Sequence, residues 1–196
     1  MSTLPVSHRP SLRVGKVPGV TVSKWTGVWA ERFPRTRLEV VDVDQQNQRH
    51  TLTGGEVDLC FVRLPIDSDG LHLIRLYEEL PVAWVSKDHV VAAADEVTLA
   101  ELADEDVLTE VTPHAIDLVS LGEAVLHVPA SIARTESRRD FVYRTITDAP
   151  STTVGLAWLV DNPHELIEEF IGIVRGRTAN SSRTAQARAS KGHSRG

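Results

Sequence analysis

Three apolar runs separated by two helix-like stretches within the first 64 residues constrain this chain more than any other feature. "LRVG" (12–15), "LEVVDV" (38–43) and "VDLCFVRL" (57–64) read as strands. Between the first two, Trp25, Val28, Trp29 and Phe33 recur at helical spacing on one face. Thr21 or Ser23 is placed to cap that helix and Pro34 to end it. "QQNQRHTLT" (45–53) fills the second gap as a weak helix stopped by Gly54-Gly55. Strand, helix, strand, helix, strand with short links is the pattern of a parallel, doubly wound α/β sheet. The nearly continuous apolar run of the third strand suits a sheet covered on both faces.

The remainder is less regular. "LHLIRLY" (71–77) and "LPVAWVSK" (80–87) read as strands, and "TLAELAD" (98–104) as a short helix opening at Thr98. A helix from Pro113 stops at Gly122, and a strand follows that turns at Pro129. "DFVYRTIT" (140–147) and "TTVGLAWLV" (152–160) are strands. The best helix is "PHELIEEFIGIVRGR" (163–177), with Leu166, Ile167, Phe170, Ile171 and Val174 on one face.

Composition narrows the function classes. The 196 residues, 41% hydrophobic, suffice for one core or two small lobes. No apolar run approaches the roughly 18 residues of a membrane span, and the polar start "MSTLPVSHRP" lacks a secretory signal, so the expected location is the cytoplasm. Cys60 is the single cysteine, which rules out an internal disulfide or a thiolate metal cluster. Six of the 21 basic residues and none of the 27 acidic ones lie from Arg175 onward. The acidic body repels nucleic acid, and the tail 178–196 is expected to be disordered and basic.

The opening stretch "LRVGKVPGVTVSKW" resembles a phosphate loop only superficially. It has no Gly-Lys-Ser/Thr triplet, and the G-x-G-x-x-G fingerprint is absent too. The physics of a strand running into a helix survives: unpaired amides and the helix's positive end face the crevice at the strand ends. Thr21 and Ser23 add hydroxyls there, Asp44 and Gln45 follow strand two, and Arg63 closes strand three. Together they point to a small polar or anionic ligand. The plainer alternative leaves Thr21 as a helix cap and Arg63 in a surface ion pair. No enzyme constellation accompanies them. The eight histidines form no H-x-x-x-H pair, no G-x-S-x-G elbow occurs, and Cys60 reads as a buried small hydrophobe. The acidic cluster "LADEDVLTE" reads as a solvated helix end and loop. No catalytic residue, metal or cofactor is expected.

The order "GGEVDLCFVR", then "LYEE…VAWVSKDH", then "TLAELAD", with "LHVPASIAR" and "TTVGLAW" later, resembles the effector-binding (substrate-binding) domain of LysR-type transcriptional regulators over about residues 11–177. The resemblance implies a two-lobed, periplasmic-binding-protein-like (type 2) fold with mostly parallel sheets. Lobe one would comprise 11–84 plus 154–177, lobe two 85–153, and 1–10 would be a flexible lead-in. Trp84 and Trp158 then fall where the lobe crossovers lie, lining the cleft or bracing the hinge. The matching ligand-contact positions are Thr21 with its neighbour Ser23, Asp44, Gln45, Arg63, Pro65, Pro129, Ala130 and Ser131. The ligand would be a small-molecule effector, a carboxylate or other anion, and side-by-side pairing into a homodimer is implied. Two departures accompany the match. The lead-in leaves no room for the family's N-terminal winged helix-turn-helix, so direct sequence-specific DNA reading is not expected. Between "EDVL" and "AIDLVSLG" the resemblance would lead to about 30 residues more, a helix and a strand, which implies a shortened second lobe. The functional expectation is an effector-sensing domain acting through protein contacts. The alternative is a degenerate dimerisation protein that modulates full-length regulators.

Overall fold

A computed structural model describes residues 11–177. The opening alternation appears as read: β1 (Ser11–Lys16), α1 (Ser23–Arg32), β2 (Arg37–Asp42), α2 (Gln48–Thr53) and β3 (Leu59–Arg63), with β1 parallel to both β2 and β3. β4 (Leu71–Glu79) and β10 (Thr152–Leu159) complete a five-stranded sheet in the order β2-β1-β3-β10-β4. A second five-stranded sheet, β6-β9-β5-β8-β7, is built from β5 (Pro81–Ser86), β6 (Glu96–Val97), β7 (Val107–Leu108), β8 (Val125–Pro129) and β9 (Phe141–Ile146).

The sheets are mixed rather than mostly parallel. β10 runs antiparallel to β3 and β4, and β5 runs antiparallel to β8 and β9. Only consecutive strands bridged by a helix are forced parallel. β4 passes to β5 through Leu80 alone, and β10 returns from the other sheet, so neither meets that condition. Residues 81–84, expected in lobe one, belong to β5 of the second sheet, and residues 152–153, expected in lobe two, open the return strand β10 of the first, which begins at Thr152 as read. The expected lead-in 1–10 and the basic tail 178–196 lie outside the described residues.

β3 shows why its sequence carries no polar alternation. Leu59 and Phe61 face a core with Trp29, Leu156 and Phe170, while Cys60 and Val62 face another with Val43 and Leu52. Trp25 stacks on Phe61 (4.7 Å between centroids, 13° between planes), so the aromatics of α1 belong to the core. Burial pushes the Cys60 thiol up to about 12, which fits an inert side chain. In the second sheet, α3 (Pro113–Leu121) and α4 (Ala130–Thr135) cover one face around Trp84 and Leu126. Trp84 is therefore core, edge-on to Phe141, and Trp158 packs on His72.

Three local expectations change. Residues 98–104 form turns, not a helix, although Thr98 and Glu101 exchange the hydrogen bonds of a capping box. Asp104, Glu105 and Asp106 would place three carboxylates at the helix's negative end. The chain beyond Pro129 continues into α4 without an intervening turn. The last helix, α5 (Ile167–Val174), starts later than Pro163. The His164 ring meets the Ser11 carbonyl (3.0 Å) and accepts from Leu166 N, which holds 163–166 against β1.

Candidate functional site

The Arg63 side chain, at the end of β3, is 2% exposed and sits where the two lobes meet. Its Nε donates to Glu79 Oε2 (2.9 Å), and Nη2 lies 2.8 Å from the same oxygen. Nη1 donates to Gln45 Oε1 (2.7 Å) and Nη2 to the Pro18 carbonyl (3.0 Å). Across the lobes, Nη2 reaches Ser131 Oγ at 3.5 Å. Gln48 fixes the backbone beneath: its Nε2 donates to Arg63 O and its Oε1 accepts from Arg63 N, both at 2.9 Å. This is not a surface ion pair. It is a buried charge pair whose guanidinium is met by Glu79, Gln45 and the Pro18 carbonyl. Gly19 (φ +86°) lets the opening turn press against α4, because a Cβ there would lie 2.6 Å from Ser131 Oγ and 2.9 Å from Ile132 N.

In front of this wall lies a cleft of about 960 Å³. Lobe one contributes Pro18, Asp44, Gln45, Pro65 and Ile66; lobe two contributes Glu110, Val111, Ile116, Glu136 and Arg138. Asp44 caps the short turn into α2 by accepting from Gln46 N (3.2 Å). At the mouth, Gln46 Nε2 donates to Glu110 Oε1 (2.6 Å), a direct bond between the lobes. Behind the wall lies a second cavity of about 510 Å³, bordered by Thr21, Trp25, Tyr77 and Glu79 from one side and Ala130 and Ser131 from the other.

The expected ligand residues are thus divided. Asp44, Gln45 and Pro65 line the front cleft; Thr21, Ala130 and Ser131 line the rear cavity; Arg63 stands between them. Ser23 and Pro129 line neither cavity. Nor does Thr21 or Ser23 cap α1: Val22 occupies the cap position, with no side-chain hydrogen bond. Glu79, Gln48 and the Gln46–Glu110 bond were absent from the sequence reading. Glu79 carried one signal, a carboxylate just before the Leu80-Pro81 crossover, but nothing local pairs it with Arg63, 16 residues away.

The fold matches the BenM effector binding domain with its effector benzoate at a TM-score of 0.72 and 19% identity, covering 88% of this chain and 94% of that one. The class is therefore a two-lobed α/β domain of the type 2 periplasmic-binding-protein kind. The LysR substrate binding domain matches residues 7–115, more than half the chain, and the chain belongs to that family. It is 24% identical to the Hca operon transcriptional activator HcaR of Escherichia coli, over 89% of this chain and 70% of that protein. It is 23% identical to the HTH-type transcriptional regulator AlsR of Bacillus subtilis, over 74% of this chain and 58% of that one. The HcaR alignment spans 209 residues, whereas 89% of this chain is about 174, so this chain covers the stretch with about 35 fewer (209 − 174).

Proposed function

We propose that this chain is the effector-sensing domain of a LysR-type regulator system in the cytoplasm: a small organic molecule enters the front cleft and resets how the lobes meet. The role is binding, not catalysis, and its output is contact with other protein subunits, including a second copy of the chain. The observation that carries this reading is the cleft itself, walled by both lobes, anchored at Arg63 and bridged at its mouth by Gln46 and Glu110. A ligand touching both walls gains most in the closed arrangement, which is how binding shifts such an equilibrium.

Arg63, expected to hold an anion, has its charge already matched by Glu79. Arg49 is paired with Asp67 (3.0 Å), which leaves Arg138 as the lobe-two cation lining the cleft. An anionic effector therefore binds with its charge toward Arg138 and its body on Pro65, Ile66 and Ile116. Thermal unfolding of the chain with a panel of aromatic acids, aliphatic acids and amino acids, benzoate among them, tests the reading. A hit at a hundred times its Kd stabilises by about 2.7 kcal/mol, and Arg138→Ala weakens an acidic hit about tenfold. A panel that leaves the melting temperature unmoved would overturn the sensing role.

A further inference from the structure

Three arginines of lobe two, Arg134, Arg138 and Arg144, line a separate hollow of about 570 Å³ whose floor includes Trp84, Ala133 and Phe141. Among the described residues none of the three is paired with a carboxylate, whereas Arg13, Arg49 and Arg63 of lobe one each are. Arg144 is held by neutral groups, its Nε and Nη2 donating to the Ala94 and Ala92 carbonyls. The Arg134 guanidinium lies 5.9 Å over the Tyr143 ring, and its Nε donates to the Tyr143 hydroxyl (3.4 Å). That hydroxyl therefore keeps its own hydrogen to donate. Glu136 and Asp140 flank Arg138 in sequence, but neither lines this hollow, and Glu136 borders the front cleft. Three unneutralised cations thus surround one space in a chain that is acidic as a whole.

The floor adds an independent sign. Trp84 is 1% exposed, yet among the described residues its indole N–H meets no acceptor, and the nitrogen keeps a trace of solvent contact. A buried indole N–H ordinarily finds a partner, as that of Trp29 does in the Thr36 carbonyl (3.1 Å). Trp84 lines the hollow, so this unused donor belongs to the same space as the arginines.

We propose that this hollow binds a doubly charged oxyanion, an organic phosphate on a small apolar body. Its polar side chains are all able to donate: three guanidinium groups, the Trp84 N–H, and the Ser137 and Tyr143 hydroxyls. Guanidinium forks match phosphate oxygens in pairs. A carboxylate would leave two of the three cations unmatched, and an ammonium would meet only like charge. Ala133, Phe141 and Val142 give the ligand's carbon body an apolar bed, and about 570 Å³ admits a one-ring ester. The site is distinct from the front cleft, although Arg138 borders both.

Three probes test this on the full chain by calorimetry at constant ionic strength and pH 8, well above the second phosphate pKa of about 6. Phenyl phosphate carries two charges on a ring, phenyl sulfate one charge on the same shape, and inorganic phosphate two charges without the ring. Phenyl phosphate should bind at least tenfold more tightly than phenyl sulfate and at least threefold more tightly than inorganic phosphate. Arg134→Met and Ser137→Trp, both at exposed positions, should each weaken it at least tenfold. Trp84→Phe, which keeps a ring and removes the N–H, should weaken it about fivefold with the circular dichroism unchanged. Val111→Trp, which fills the mouth of the front cleft, should leave it unaltered. Equal affinity for the two esters, inorganic phosphate binding as tightly as phenyl phosphate, or no binding of phenyl phosphate would each overturn the proposal. So would loss in Val111→Trp but not in Ser137→Trp, which would place the phosphate in the front cleft and leave the sensing role standing.

Discussion

Each lobe is a five-stranded sheet covered on both faces, yet the two are finished differently at the edges. The first ends in β2 and β4, six and nine residues long; the second ends in β6 and β7, two residues each. Their centres are alike: Phe61 and Leu156 in one, Trp84 and Leu126 in the other, are all essentially inaccessible to solvent. A lobe can therefore lose length at its margins and keep a dry middle, because burial is decided by the central strands and their helices. The lobes differ also in how they treat buried charge. Lobe one holds the deeply buried Arg63–Glu79 pair at 2.8 Å, whereas lobe two holds the looser His89–Glu105 contact at 3.3 Å.

That contrast gives the largest predicted effect. Glu79→Leu strands the Arg63 cation in the interior and should cost about 3–5 kcal/mol in urea unfolding, most of it recovered when Arg63→Met is added. A cost below about 1 kcal/mol would show that water reaches the pair. Helix capping separates the lobes next. Thr112 Oγ1 accepts from Ala115 N at the start of α3, so Thr112→Ala should lose about 1 kcal/mol. Ser23→Ala, at the start of α1, should change stability by less than about 0.5 kcal/mol, since no side-chain cap exists there.

How much of this was legible beforehand follows the range of the interactions. The β1–α1–β2–α2–β3 unit could be read because every signal in it is local: apolar spacing at Trp25, Val28 and Trp29, the Pro34 stop, the Gly54-Gly55 stop. The mixed strand directions could not, because β10 pairs with β3 across some 90 residues of sequence that run through the other lobe. The site was half legible for the same reason. Asp44 and Gln45 are indeed at a strand end facing a cleft, but whether Arg63 waits for a ligand or is matched by the protein depends on Glu79, and no periodicity links the two. The "TLAELAD" stretch shows the converse: a correct local cap at Thr98 with no helix to follow it.

Two smaller effects sharpen the comparison. Glu105→Ala should cost lobe two about 1 kcal/mol, well below the Glu79 effect, because Glu105 is partly solvated and His89 keeps its second bond, accepting from Val91 N (3.2 Å). Last comes pH. Burial lowers the His127 pKa below its ordinary 6.5, so the unfolded chain binds this proton more readily than the folded one. The stabilising contribution is complete above pH 6.5 and is lost as pH falls from there through the lower, folded-state value. His127→Gln should flatten that part of a stability–pH curve, and a curve unchanged by the substitution would exclude the residue as its source.

The margins of the two sheets also bear on how the molecule behaves in a crowded solution. An open strand edge is a template on which another chain can add itself and begin a fibre. Here the long edges carry exposed charge, Arg37, Glu39 and Asp42 on β2 and Arg75 and Glu78 on β4, while the uncharged stretches Val97 and Val107–Leu108 are too short to seed a ladder. The brief rims of the second lobe thus offer a neighbouring chain little to add to, and the charged rims of the first offer little that is sticky.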